Sequence, residues 1–149
     1  MRNKFFLLFL LFLFLSNCGY KPIYSTKNLS FTIENIKKSN TYLNNKFEKS
    51  IIALKNSDND NKIDITIESD KKINIKSKDS KGNALVFEIK INLKFASPNI
   101  DNKREKLFSR KITYNNSDDK FRLKQYENEL EDILITKIVE DLINYLSNI

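Results

Sequence analysis

A pattern with a period of two residues over residues 84–95 is the strongest constraint on the fold. Every odd position from 85 to 95 is apolar, and the even positions between them include Glu88, Lys90 and Lys94. Successive side chains of a β-strand point to opposite faces of the sheet, so this period of two predicts a strand. Such a strand needs neighbouring strands and a second layer to bury its apolar face.

Three further segments show strand patterns, at about residues 28–36, 62–77 and 104–115. In the second of them, the isoleucines all occupy odd positions, which favours one long strand with a single apolar face. A break at Ser69-Asp70-Lys71 is the alternative. Lys81-Gly82-Asn83 then predicts a turn, because glycine adopts positive φ without steric cost.

Two segments instead carry apolar residues at intervals of three and four, which places them along one helical face. We expect the first helix to be capped by Ser39 or Asn40 and to end at about Lys55. The second covers roughly Arg122 to Ser147. The order strand, helix, three strands, helix predicts an α+β fold, with two helices packed on one face of a four-stranded, largely antiparallel sheet.

The start of the chain has the order of a secretory signal. Arg2 and Lys4 precede an apolar run from Phe5 to Leu15. This run is shorter than the roughly 20 residues that a membrane-spanning helix needs. Cys18 follows it and is the only cysteine of the chain, so no disulfide can form within the chain.

Leu15-Ser16-Asn17-Cys18 resembles the bacterial lipobox, whose cysteine becomes the acylated first residue of the mature protein. Asn17 departs from the motif, because Gly, Ala or Ser usually precedes the cysteine. The resemblance implies a lipoprotein signal peptide over residues 1–17 and an acylated tether over residues 18–27. The chain length and the strand and helix patterns predict a single α+β domain over residues 28–149. Cys18 would carry acyl chains such as palmitate. Gly19 in place of aspartate implies sorting to the periplasmic side of a Gram-negative outer membrane.

The composition disfavours catalysis. The chain has no histidine, no tryptophan and only two glycines, so the commonest general base and any glycine-rich phosphate loop are missing. Asp58, Asp60 and Asp64 have a spacing reminiscent of calcium ligands, but the glycine and terminal glutamate of an EF-hand are absent. We therefore expect no enzyme activity, no metal site and no cofactor.

The basic residues point to an anionic partner. The formal net charge is +7, and residues 71–81 and 103–111 each contain five basic residues and one acid, whereas the second predicted helix is rich in acids. A basic sheet favours an anionic ligand on that side, with the acids solvating the outer face of the helix. A solubilising lysine surface under AT-rich codon bias is the alternative. The candidate binding residues are Lys71, Lys72, Lys76, Lys103, Arg104, Lys106 and Arg110.

The segment Cys18-Gly19-Tyr20-Lys21-Pro22-Ile23-Tyr24, together with the order of strands and helices, resembles the lipopolysaccharide-assembly lipoprotein family, the E component of the lipopolysaccharide transport system. The resemblance implies a protein that plugs a large lipopolysaccharide-translocating β-barrel of the outer membrane and assists its assembly. It also implies a role in delivering lipopolysaccharide to the outer leaflet.

The expected partners are therefore this barrel, lipopolysaccharide and, through the acyl chains, the outer membrane. The basic candidates would pair with the phosphates of lipid A. Nucleic acid is not an expected partner, because the signal exports the chain. The alternative function is that of a scaffold lipoprotein in another envelope complex, such as the barrel-insertion or lipid-trafficking machinery.

Overall fold

The structure is a computed structural model that describes residues 32–52, 61–98 and 105–148. Within these ranges the chain forms four strands and two helices. Their bounds are β1 Thr32–Lys38, α1 Tyr42–Ile52, β2 Lys62–Lys78, β3 Ala84–Ala96, β4 Lys106–Asn115 and α2 Lys120–Leu146. The predicted signal peptide and tether, at residues 1–17 and 18–27, lie outside the described residues.

The four strands form one mixed sheet in the order β1-β2-β3-β4. β2, β3 and β4 are consecutive antiparallel strands. β1 pairs with β2 in parallel, because the connection through α1 returns the chain to the same end of the sheet. The predicted α+β fold with a largely antiparallel sheet is therefore confirmed.

β2 is a single strand of 17 residues, which resolves the two alternatives left by the sequence. Ser69, Asp70 and Lys71 pair with three consecutive residues of β3, so the ladder continues through the polar segment. The turn after β2 contains Gly82 at φ +88°. The Asp79 carboxylate accepts hydrogen bonds from the backbone N–H groups of Lys81 and Asn83 and closes this turn.

Both helices pack on the same face of the sheet, which we call the buried face. The odd-numbered residues of β2 and β3 supply its centre: Ile65, Ile67, Ile89, Ile91, Leu93 and Phe95 are at most 1% exposed. Phe47 of α1 and Ile138 of α2 cover them and are fully buried. Each such side chain contributes about 1.5–3 kcal/mol by leaving water. The other face of the sheet is covered by no described helix, and we call it the open face.

The N-terminal ends of both helices differ from the prediction, because other polar side chains than those predicted cap them. Thr41, rather than Ser39 or Asn40, caps α1, because its Oγ1 accepts from the N–H of Asn44. Ser39 instead accepts from the Asn44 side chain. Helix α2 begins before Arg122 because Asp119 accepts a hydrogen bond from the Arg122 N–H and forms its cap.

Two of the predicted strands are also shifted at their ends. β1 extends to Lys38, beyond the predicted end at residue 36, because its pairing with β2 continues to Ile67. β4 runs from Lys106 to Asn115, and the predicted start at residue 104 lies outside the described residues. The same is true of the predicted end of α1 at Lys55.

Candidate functional site

The predicted basic residues do not form one surface. Cys18, Lys103 and Arg104 lie outside the described residues. Lys71, Lys106 and Arg110 are on the side of the helices, whereas Lys72 and Lys76 are on the open face. The strand register explains this division, since neighbouring lysines on one strand point to opposite faces.

Lys71 is an internal ion-pair partner. Its Nζ donates to Oε2 of Glu131 on α2, and Lys46 of α1 donates to Oε1 of the same carboxylate at 2.9 Å. The Glu131 side chain is only 1% exposed. This carboxylate thus joins β2, α1 and α2, and the prediction that the acids of the second helix solvate its outer face is wrong for Glu131.

The pKa values agree with this charge network. Burial by itself raises the pKa of Glu131, but the hydrogen bonds from Lys71 and Lys46 outweigh it and hold this pKa below its ordinary value. Burial lowers the pKa of Lys46, and the bonds to Asp132 and Glu131 more than compensate, so that its pKa is raised. Glu131 and Lys46 therefore stay charged at neutral pH.

Arg110 and Lys106 are also engaged on the buried side of β4. Arg110 donates from Nε and Nη2 to both carboxylate oxygens of Asp141, at 2.7 and 2.6 Å. Lys106 lies over the ring of Tyr145, with its Nζ 5.2 Å from the ring centre. A ligand would have to compete with these contacts, so Lys71, Lys106 and Arg110 are poor first candidates for anion binding.

The open face instead carries a row of three lysines. Lys72 of β2 is the register partner of Lys90 of β3, and Lys90 is the partner of Lys111 of β4. We call these three residues the lysine row. Strands lie about 4.8 Å apart, so the row crosses roughly 10 Å of the sheet.

One carboxylate partly balances this row. Glu88 stands in the next position of β3 on the same face and is 8% exposed. Its Oε2 lies 3.8 Å from Nζ of Lys76 and 3.6 Å from Nζ of Lys111. Lys72 and Lys90 have no ion pair within the described ranges. They are therefore available cations on the open face.

Lys90 and Lys111 were not among the candidates chosen from the sequence. The selection followed runs of basic residues along the chain, whereas the row is created by pairing across three strands. The even numbering that Lys72, Lys76 and Lys90 share was a usable signal, because even positions of both strands oppose the apolar odd positions. Lys111 could be added only once the β3–β4 register was known.

Large apolar side chains are exposed on the buried side of the sheet, beyond the region that the helices cover. Ile73 and Ile75 of β2 are 43% and 50% exposed. Next to them, Phe87 of β3 stacks on Tyr114 of β4, with ring centres 5.5 Å apart. The end of the β2–β3 hairpin thus extends past the core.

Residues 32–52, 61–98 and 105–148 contain no helix that is both long and apolar enough to cross a membrane. These ranges also hold no group of three or more Cys, Asp or Glu side chains placed to bind a metal ion. Asp64 accepts a hydrogen bond from the Asn35 side chain, whereas Asp58 and Asp60 lie outside the described residues.

The structure is a small α+β domain whose open sheet face carries the lysine row. No protein-family model and no curated protein sequence matches the chain. Solved structures of bacterial lipoproteins do share its fold.

Three of these solved structures show how similar their folds are to that of this chain. The rare lipoprotein B from Shewanella oneidensis has a TM-score of 0.53 and 13% identity, over 77% of this chain and 98% of that chain. A minor lipoprotein from Acinetobacter baumannii has a TM-score of 0.58 and 12% identity, over 80% and 92%. Lipoprotein B from Nitrosomonas europaea has a TM-score of 0.53 and 16% identity, over 87% and 90%. At these identities the likeness establishes a shared fold.

Proposed function

We propose that this chain is an outer-membrane lipoprotein that plugs a large lipopolysaccharide-translocating β-barrel, assists the assembly of that barrel and helps deliver lipopolysaccharide to the outer leaflet. One observation carries the proposal: the domain that follows the lipobox-like cysteine Cys18 has the fold of solved bacterial lipoproteins, among them a rare lipoprotein B. The anchor would be the acylated Cys18, on the periplasmic side of the membrane.

The open face of the sheet suits a plug. The lumen of a large outer-membrane barrel is polar and holds water, so a domain inside it needs polar side chains on its surface. Along β2 the open face presents charged and amide side chains, including Glu68, Asp70, Lys72 and Asn74. These side chains can form hydrogen bonds with a barrel wall, while the helices bury the apolar face of the same sheet.

The lysine row supports a role in binding lipopolysaccharide. Lipid A carries phosphate groups, which lysine ammonium groups bind through charge-assisted hydrogen bonds. Lys72 and Lys90 lie side by side without a carboxylate partner in the described part of the chain. We therefore propose that the lysine row, with Lys76 beside it, binds lipopolysaccharide, in place of the cluster predicted from the sequence.

The partner is tested by affinity purification of the anchored protein from outer membranes in mild detergent, followed by mass spectrometry. We expect a large β-barrel protein in near-equal amount. Recovery of barrel-insertion or lipid-trafficking components instead would support the alternative scaffold function. Recovery of the lipoprotein alone would contradict both functions.

The ligand is tested separately by pull-down of purified protein with lipopolysaccharide. The doubly reversed variant Lys72→Glu/Lys90→Glu should bind at least tenfold more weakly than the unchanged protein. The matched control is Lys49→Glu/Lys137→Glu, which changes the net charge equally at two exposed helix positions. Equal binding by the two double variants would exclude the lysine row as the binding surface.

A further inference from the structure

Among the residues that the structure describes, the long strand β2 has a free edge. β1 pairs with β2 only from Lys62 to Ile67, whereas β3 pairs with β2 as far as Lys78. After Ser39 the chain turns away from the sheet into α1. On the side of β2 that faces away from β3, no strand among the described residues continues the sheet beyond Ile67.

This edge exposes backbone hydrogen-bonding groups. Every residue from Lys71 to Lys78 is exposed. Alternate residues of a strand direct their N–H and C=O groups to the same side, so about half of these eight residues offer both groups to a further strand. At about 3.3 Å per residue, the free edge is roughly 25 Å long, which exceeds a typical strand.

The side chains at this edge have a clear two-sided pattern. Ile73 and Ile75 point to the side of the helices and are about half exposed. Lys72 and Lys76 point to the open face, on either side of Asn74. Lys71 is already bound to Glu131. An added strand would therefore meet isoleucines on one face and lysines on the other.

We propose that the edge of β2 from Lys71 to Lys78 accepts a β-strand of a partner protein in which apolar residues alternate with Asp or Glu. The backbone of that strand would complete the ladder, its apolar side chains would pack beside Ile73 and Ile75, and its acids would pair with Lys72 and Lys76. The register with β3 shifts after Ile75, so the regular part of the edge suits a short strand.

Charge argues against a second copy of this chain as the partner strand. An antiparallel pairing of two such edges centred on Asn74 would place Lys72 of one copy opposite Lys76 of the other, twice. Like charges at directly opposite positions destabilise a sheet, and lysines on edge strands hinder self-association. The same lysines favour an acidic strand. This proposal rests on the edge itself and not on the proposed role as a barrel plug.

The test is hydrogen exchange of the backbone amides in the full chain, with synthetic peptides as probes. One peptide alternates glutamate with valine and isoleucine, a second has the same composition in scrambled order, and a third carries lysine in place of glutamate. Amides of residues 71–78 that do not bond to β3 exchange quickly in the free protein. The acidic alternating peptide should slow their exchange at least tenfold, and the other two peptides should not.

Charge reversal makes the test specific to this edge. Lys72→Glu/Lys76→Glu should weaken binding of the acidic peptide about tenfold or more and strengthen binding of the lysine peptide. Lys49→Glu/Lys137→Glu should change either affinity less than twofold. Equal protection by the scrambled peptide, protection elsewhere in the chain, or protection that grows with protein concentration alone would each overturn the proposal.

Discussion

The Glu131→Gln substitution removes the charge that joins both helices to β2 while it keeps the size of the side chain. The carboxylate is 1% exposed and accepts from Lys46 and Lys71. Loss of one member of a buried ion pair costs about 3–5 kcal/mol. The two lysine side chains are 22% and 29% exposed and can turn toward water, which lowers this cost. We therefore expect a loss of about 2–3 kcal/mol in the free energy of unfolding.

Urea denaturation at pH 7 measures this loss, and thermal unfolding should show a fall in Tm of roughly 10 °C. The matched control is Glu129→Gln, two positions earlier on the same helix, where the side chain is exposed. The control should stay within about 0.5 kcal/mol of the unchanged protein. If the two variants were equally stable, the charge network of Glu131 would not stabilise the fold.

The pH dependence has a definite sign. Because the pKa of Glu131 is lowered in the folded protein, its charge stabilises the fold fully above the unfolded pKa of about 4.3. This contribution is lost as the pH falls from there through the lower folded pKa. The stability difference between the unchanged protein and Glu131→Gln should therefore shrink below about pH 4.3. A difference that stays constant down to pH 2 would refute the reasoning.

Three further substitutions test the core and the hairpin, each by urea denaturation. Tyr114→Phe removes the 2.6 Å hydrogen bond to Glu127 from a phenol that is 4% exposed, and should cost about 1–2 kcal/mol; an unchanged midpoint would contradict this. Phe95→Ala should cost about 3–5 kcal/mol of unfolding free energy. The control Phe121→Ala, at a 73% exposed residue, should cost less than about 0.5 kcal/mol. Equal costs would contradict the burial of Phe95 in the core. Gly82→Ala should cost about 1–2 kcal/mol through the positive φ alone, because an added Cβ meets no atom within 4 Å; a neutral result would exclude this turn.

The sheet was predictable from the sequence because the alternation of side chains along a strand is a local property, which does not depend on how the elements pack. The odd-numbered apolar residues of β3 fixed its buried face, and the isoleucines of β2 favoured one strand through Ser69-Asp70-Lys71. The competing break came from local turn propensity, which the pairing with β3 overrides. The parallel pair β1–β2 follows from the helix that separates these strands.

The charged contacts were less predictable because they depend on how elements are placed against each other. Lys71 and Glu131 are 60 positions apart in the chain, and their contact needs both the parity of β2 and the rotation of α2. The contact between Arg110 and Asp141 likewise depends on how β4 and α2 are placed against each other. Clustering along the chain therefore put Lys71, Arg110 and Lys72 into one predicted site, although the sheet separates the first two from the third.

The lysines of the lysine row should favour binding of an anionic ligand but lower the stability of the fold, because they repel one another. Lys90 stands between Lys72 and Lys111, and each directly opposite like-charged pair costs about 0.2–1 kcal/mol. Lys90→Gln removes both repulsions, so it should raise the free energy of unfolding by about 0.5–1 kcal/mol at low salt.

This gain should fade as salt is added, because charges about 5 Å apart on an exposed face are screened once the Debye length falls to a few ångströms near 1 M. The control Lys94→Gln instead removes the exposed ion pair with Glu105 and should bring no gain. The same Lys90→Gln protein should bind lipopolysaccharide more weakly in the pull-down. A variant that lost stability at low salt would show that the lysines do not repel one another. The lysine row would then no longer be a candidate surface for binding anions.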